Sequence, residues 1–143
     1  GGTAEKRLRF ARAVAESVRA ATPAHIAIGA RINSTDFLDN GLGVEDAVQI
    51  AKDLRDRGFD YVCVSSGNIV PGGRPALGPG FNVERAARIK KETGLVTRTV
   101  GFIAGPKHAD DVVTHGGVDQ VPRAVAGTSS VPRSLTSFSS SLI

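Results

Sequence analysis

The sequence has no methionine, no tryptophan, one tyrosine (Tyr61) and one cysteine (Cys63). A single cysteine excludes an internal disulfide framework and suits a reducing compartment, so the cytoplasm is the expected location. No apolar run approaches the ~18 residues of a membrane-spanning helix. Glu5, Lys6, Arg7 and Arg9 interrupt the start, where a secretory leader needs apolar residues. No membrane partner is therefore expected. Metal-ligand spacing is missing too, since His25, His108 and His115 lie far apart and Cys63 stands alone, so no metal site is expected. The net charge of +4 is modest. Its basic residues, among them Arg9, Arg12, Lys90 and Lys91, fall on helical segments with few aromatics between them. That is the composition of solvated helix faces, and nucleic acid is not an expected partner. With no methionine and Gly1-Gly2 directly before a helix start, the chain reads as a piece of a longer protein.

What is present is a repeated alternation of helix and strand. The organising stretch is Ile26–Asp36, in which Ile26, Ile28, Ala30 and Ile32 share one strand face and Ala27, Gly29, Arg31 and Asn33 share the other. One face suits a cover of helices. The other carries small residues followed by a guanidinium, which stays protonated and needs an electron-rich partner away from water. A ligand site and a surface arginine on an edge strand both satisfy this pattern. Thr3 is placed to cap a first helix whose apolar stripe is Phe10, Ala11, Val14, Val18 and Ala21. A second helix is expected over 44–57, closed by Gly58, and a buried strand begins at Tyr61. The glycine- and proline-rich segment 68–80 reads as a functional or mobile loop. Asn82 is expected to cap a third helix ending at Gly94, a third strand covers 96–101, and Pro106 opens a fourth helix. Val118–Val121 reads as the beginning of a fourth strand.

Alternating units with short connections call for a parallel sheet with right-handed crossovers. Four such units make either a small doubly wound domain or half of a (β/α)8 barrel of ~250 residues. An arginine on the inward face favours the barrel. After Val121 the character changes, because residues 122–143 hold no acid and are dominated by serine, so they read as a divergent, poorly packed tail. Ser65 and Ser66 at a strand end can donate to backbone or to a ligand. The turn Val100–Pro106 pairs Gly101 with a helix start, an arrangement that admits a phosphate and is also common in ordinary βα turns.

The segment Gly1-Gly-Thr-Ala-Glu-Lys-Arg-Leu-Arg-Phe10 resembles the G-G-S-x-E-N-R-x-R-F segment of the old yellow enzyme family of NAD(P)H:flavin oxidoreductases. Arg31 with Ser34 and Asp36, then Asp60–Gly67, Pro79-Gly-Phe81 and Val100-Gly-Phe-Ile103 follow in the family's order over residues 1–121. The bacterial ene-reductase branch is the most similar. The resemblance implies the C-terminal half of a TIM (β/α)8 barrel, strands five to eight, as an α/β fold. It implies FMN as cofactor, NAD(P)H as hydride donor and a small conjugated carbonyl compound as substrate, with a homo-oligomer possible for the full-length parent. Carried over by motif, Arg31 matches the arginine at the flavin N1/O2 edge, Gly101 and Phe102 lie in the turn near the FMN phosphate, and Ser66 lies at the mouth; no catalytic residue is carried over. The departures are specific. Lys6 replaces an asparagine, Arg98 stands where the T-G-x-V-G pattern has a small residue, and Pro122-Arg-Ala-Val-Ala-Gly takes the place of the final G-R-x-x-L-x-D-P segment. No phosphate-binding role passes to Arg123, and a shifted reading frame would account for residues 122–143. The family's substrate-binding histidine pair falls before position 1, which implies that the isolated chain is inactive. The competing readings are an inactive barrel remnant and a fragment of another phosphate-binding barrel enzyme.

Overall fold

The computed structural model describes residues 2–67, 69 and 77–122. The expected loop at 70–76 and the tail at 123–143 therefore lie outside the described residues. Helix α1 (Ala4–Ala21) begins where the Thr3 hydroxyl accepts the Lys6 N–H, at 3.4 Å, with Glu5 in the first turn. Its buried side is not the expected one. Phe10 is 80% exposed and Val14 and Val18 are exposed with it, while Ala15 is buried and Arg12 turns toward the next helix. Arg12 forks onto both oxygens of Asp53 at 3.0 Å, and Asp53 also meets Arg57 at 3.0 Å. The charged side of α1 is thus the side that docks.

Three strands form one parallel sheet in the order β1 (Gly29–Asn33), β2 (Tyr61–Ser65), β3 (Val96–Thr99). The first is shorter than the sequence pattern suggests, and Ile26 precedes it as an exposed residue. Helix α2 (Val44–Asp56) starts with the Asp46 carboxylate taking the Gly43 N–H at 3.0 Å and ends before Gly58, whose φ of +77° suits a left-handed cap. Helix α3 (Val83–Thr93) closes on Gly94, and α4 (Pro106–His115) has proline at its first position, as expected. At the expected beginning of a fourth strand, Gln120 makes a parallel bridge with Arg98, and the Thr99 N–H donates to Gln120 O at 3.0 Å.

The core lies on one side of the sheet. Ile32, Val62 and Val64 meet Ala47, Val48 and Ala51 of α2, Ala86 and Ile89 of α3, and Val112 of α4. The opposite side carries Gly29, Arg31 and Asn33, then Tyr61, Cys63 and Ser65, then Arg98. Parallel strands alternating with helices that cover one side of the sheet are what a segment of a barrel presents, with its other side turned to the barrel interior.

Arg88 joins α2 to α3 by holding Glu45 at 2.8 Å and Glu92 at 2.9 Å. Its hydrogen bonds hold both carboxyl groups below their ordinary value of 4.5. A lowered folded-state pKa contributes stability that is complete above pH 4.5 and is lost as acid carries the pH through the folded-state values. Because the pairs are exposed, the effect is small and screened by salt. Urea midpoints measured above and below pH 4.5 check this: Arg88→Ala should shallow the acid slope, and an unchanged slope would assign it to other carboxylates.

Candidate cofactor site

The inward side of the sheet is built in register. Arg31 pairs with Cys63, and Cys63 pairs with Arg98, so one layer across three strands carries two guanidiniums. With neighbouring strands ~4.8 Å apart, their backbones stand about 10 Å from each other. Arg31 is exposed. Arg98 is half-buried, and its Nε is shielded from water and has no hydrogen-bond partner. Among the described residues neither arginine forms an ion pair, whereas Arg12, Arg57 and Arg88 all do. An arginine cannot neutralise itself by losing a proton, so this layer asks for an electron-rich partner.

The residues around the layer are fixed. Toward the strand starts, the Tyr61 ring lies over Gly29 so closely that a Cβ there would collide with it. The space that small residues suggest at Gly29 is therefore taken by Tyr61. Toward the strand ends, Ser65 Oγ donates to Asn33 Oδ1 at 3.0 Å, and Asn33 Nδ2 donates to Gly67 O at 3.1 Å.

Behind that rim a buried knot ties the three strand ends together. Ser66 Oγ donates to Asn82 Oδ1 at 2.9 Å, and Asn82 Nδ2 donates to Val100 O at 2.9 Å. Ser34 Oγ donates to Ser65 O at 2.9 Å and lies 3.4 Å from Asn82 Oδ1. Asn82 does precede α3, but its side chain makes no cap; it turns inward instead. Its role is invisible in sequence because Asn at a helix start satisfies the capping rule equally well.

The turn after β3 is tight. Gly101 has a φ of +143°, and a Cβ on it would sit 2.9 Å from Phe81 Cε1. Gly80 N–H donates to Gly101 O at 2.7 Å. Phe102 adopts a φ of +50°, unusual for a bulky residue, is 59% exposed, and packs its ring 5.5 Å from that of Phe81. Gly105 follows as the N-cap of α4 with no side-chain cap, so the helix start keeps backbone N–H groups and a partial positive charge for an anion.

Of the residues singled out from sequence, Arg31 faces inward, Gly101 and Phe102 form the turn at the mouth, and Ser66 is buried in the Asn82 knot. The structure brings Arg31 into line with Cys63 and Arg98, and Gly101 against Phe81. Sequence reasoning did not align Arg98 with Arg31, which share a layer only through the register of each with Cys63. Among the described residues no group of three His, Cys, Asp or Glu could hold a metal. No described helix is long and apolar enough to cross a membrane.

A parallel sheet backed by helices on one side and polar at its mouth is the framework of a barrel enzyme. The pattern of the NADH:flavin oxidoreductase / NADH oxidase family matches residues 1–125, and the chain belongs to that family. It is a partial TIM-barrel domain of an oxidoreductase family. It is 36% identical over 121 residues to an NADPH dehydrogenase of Geobacillus thermodenitrificans (strain NG80-2), an alignment covering 85% of this chain and 35% of that protein. It is 33% identical over 121 residues to an NADPH dehydrogenase of Geobacillus sp. (strain WCH70), with the same coverage of 85% and 35%. The chain thus spans about a third of the length of these relatives.

Proposed function

We propose that this chain supplies part of the flavin cradle of an FMN-dependent NAD(P)H oxidoreductase of the ene-reductase type. The observation that carries the reading is Arg31, an inward guanidinium without a carboxylate partner among the described residues, in a member of a flavin oxidoreductase family. The residues present fit the cofactor. Gly101 makes a tight turn at the strand end, α4 offers an uncapped start, and the inward layer holds two cations with no carboxylate partner among the described residues. The chemistry FMN supplies when bound is passage of a hydride from NAD(P)H to the activated alkene of a small conjugated carbonyl compound.

In this reading Arg31 presents a fixed positive charge to the N1/O2 edge of the ring and stabilises negative charge there. Gly101 lets the backbone approach the phosphate, and Phe102 shields the turn from water. Ser66 spends its hydroxyl proton on Asn82, which leaves its oxygen lone pairs as what that side chain can offer. The proposed setting is the cytoplasm, where a lone thiol such as Cys63 stays reduced. The whole protein is proposed to act on a small molecule, as a homo-oligomer or alone.

The test uses a barrel completed by joining this chain to the preceding part of one of the Geobacillus enzymes. There, Arg31→Ala should weaken FMN retention by about 1.5–3 kcal/mol, the range for a charged hydrogen bond, and lower the flavin reduction potential. Arg31→Lys should recover part of this, since a point charge does not replace a planar fork. Unchanged retention and potential in both variants would return Arg31 to a structural role. A second reading, an inactive remnant, is favoured by the exposed Phe10, Val14 and Val18. It is the one left standing if the completed barrel with Arg31 intact holds no FMN.

A further inference from the structure

The geometry points to Arg98 as a second cation of the flavin site, directed at the same electron-rich edge of the ring as Arg31. This rests on the flavin reading above and goes beyond it, because the family pattern has a small residue at this position. Four observations carry it. Arg98 shares the inward layer with Arg31, with Cys63 between them in register. It forms no ion pair among the described residues, and its Nε is shielded from water without a hydrogen-bond partner, so the side chain is held without a counter-charge. The acid closest to it in sequence register, Asp119, is already engaged by Lys90 Nζ at 2.8 Å and by the Thr97 N–H at 2.9 Å. The remaining members of the layer are Cys63 and, through its single bridge to Arg98, Gln120, neither of them a carboxylate.

Arg98 is only half-buried, so an acceptor over the open side of the sheet reaches it through the terminal nitrogens of its guanidinium and not through Nε. A flat ring with oxygen and nitrogen acceptors along one edge meets the need of both guanidiniums together. Two fixed cations favour the reduced ring over the oxidised one, because only the reduced form carries a negative charge along that edge. Arg98 is also three residues before Gly101, so a phosphate at the turn is the other anion within its sphere.

The experiment titrates the barrel completed as above with FMN and with lumiflavin, which has the ring and no phosphate, each in oxidised and dithionite-reduced form. Binding is read by fluorescence quenching and equilibrium dialysis, and the fold of each variant by its urea midpoint. Arg98→Gln should weaken the reduced forms by about ten- to a hundredfold and the oxidised forms by less, equally for FMN and lumiflavin. Arg98→Lys should restore part of the loss. If Arg98→Gln binds both redox forms as the parent does, the proposal fails and the flavin reading stands. A loss for FMN with none for lumiflavin would assign Arg98 to the phosphate and overturn the ring assignment. If the completed barrel with Arg98 intact binds neither compound, the flavin reading fails and takes the proposal with it. Should Arg98→Gln unfold the chain, parent and Arg98→Lys are compared directly, and equal affinities for reduced FMN overturn the proposal.

Discussion

Replacing Asn82 by alanine is expected to destabilise the chain by about 2–4 kcal/mol, the cost of leaving buried polar groups without partners. The side chain is fully buried, and each of its ends is used. Removing it strands the Val100 carbonyl, which loses its Nδ2 donor, and the Ser66 hydroxyl, which loses its Oδ1 acceptor. Ser34 is affected less, because its hydroxyl keeps the Ser65 carbonyl at 2.9 Å. Asn82→Asp tests the two ends separately. An aspartate still accepts from Ser66 but offers nothing to Val100 O, and it places an ionised group where water is excluded. It should therefore be no milder than alanine. Urea unfolding of the three proteins decides the matter, and a loss below ~1 kcal/mol for Asn82→Ala would mean that water enters the knot and satisfies it.

Gly101→Ala is expected to cost about 2–4 kcal/mol, combining backbone strain with overpacking. The φ of +143° belongs to a region that residues with a Cβ rarely enter. The added methyl would also meet Phe81 at 2.9–3.0 Å and the Asn82 backbone nitrogen at 3.4 Å, and Phe81 is itself packed on Phe102. The ring can yield only by disturbing the aromatic pair at the mouth. Thermal or urea midpoints measure the loss. Gly105→Ala is the control, since a Cβ there meets nothing within 4 Å. Equal effects at the two positions would show that the turn after β3 relaxes freely.

Features written by local chemistry were legible in the sequence. Thr3, Gly58, Gly94 and Pro106 each mark a helix end by a rule that involves only neighbouring residues, and each stands where the rule places it. The alternation through Ile28–Asn33 was equally readable, because Ile32 is buried under helices while Arg31 looks the other way. What failed depended on neighbours far along the chain. The apolar stripe of α1 gave no hint of Arg12, yet α1 docks through Arg12 on Asp53, a contact 41 residues away. Gly29 suggested open space, which the ring of Tyr61, 32 positions on and level with it across the sheet, fills. Alignment of Arg31 with Arg98 follows from two crossover helices of particular length, and no local pattern encodes it.

The way α1 is attached sets where this chain gives way first. A helix seated on apolar contacts is released only when a large area is wetted, but α1 turns Phe10, Val14 and Val18 outward and holds on through the pairs Arg12–Asp53 and Glu16–Arg57. Charges at a partly wetted contact weaken as ions accumulate around them, within a screening length of ~8 Å at physiological salt. The sheet and its three other helices share a common apolar interior that salt does not loosen. Rising ionic strength therefore separates the molecule into two tiers, an outer helix that detaches and an inner unit that persists. Detachment would leave the register of Arg31, Cys63 and Arg98 intact.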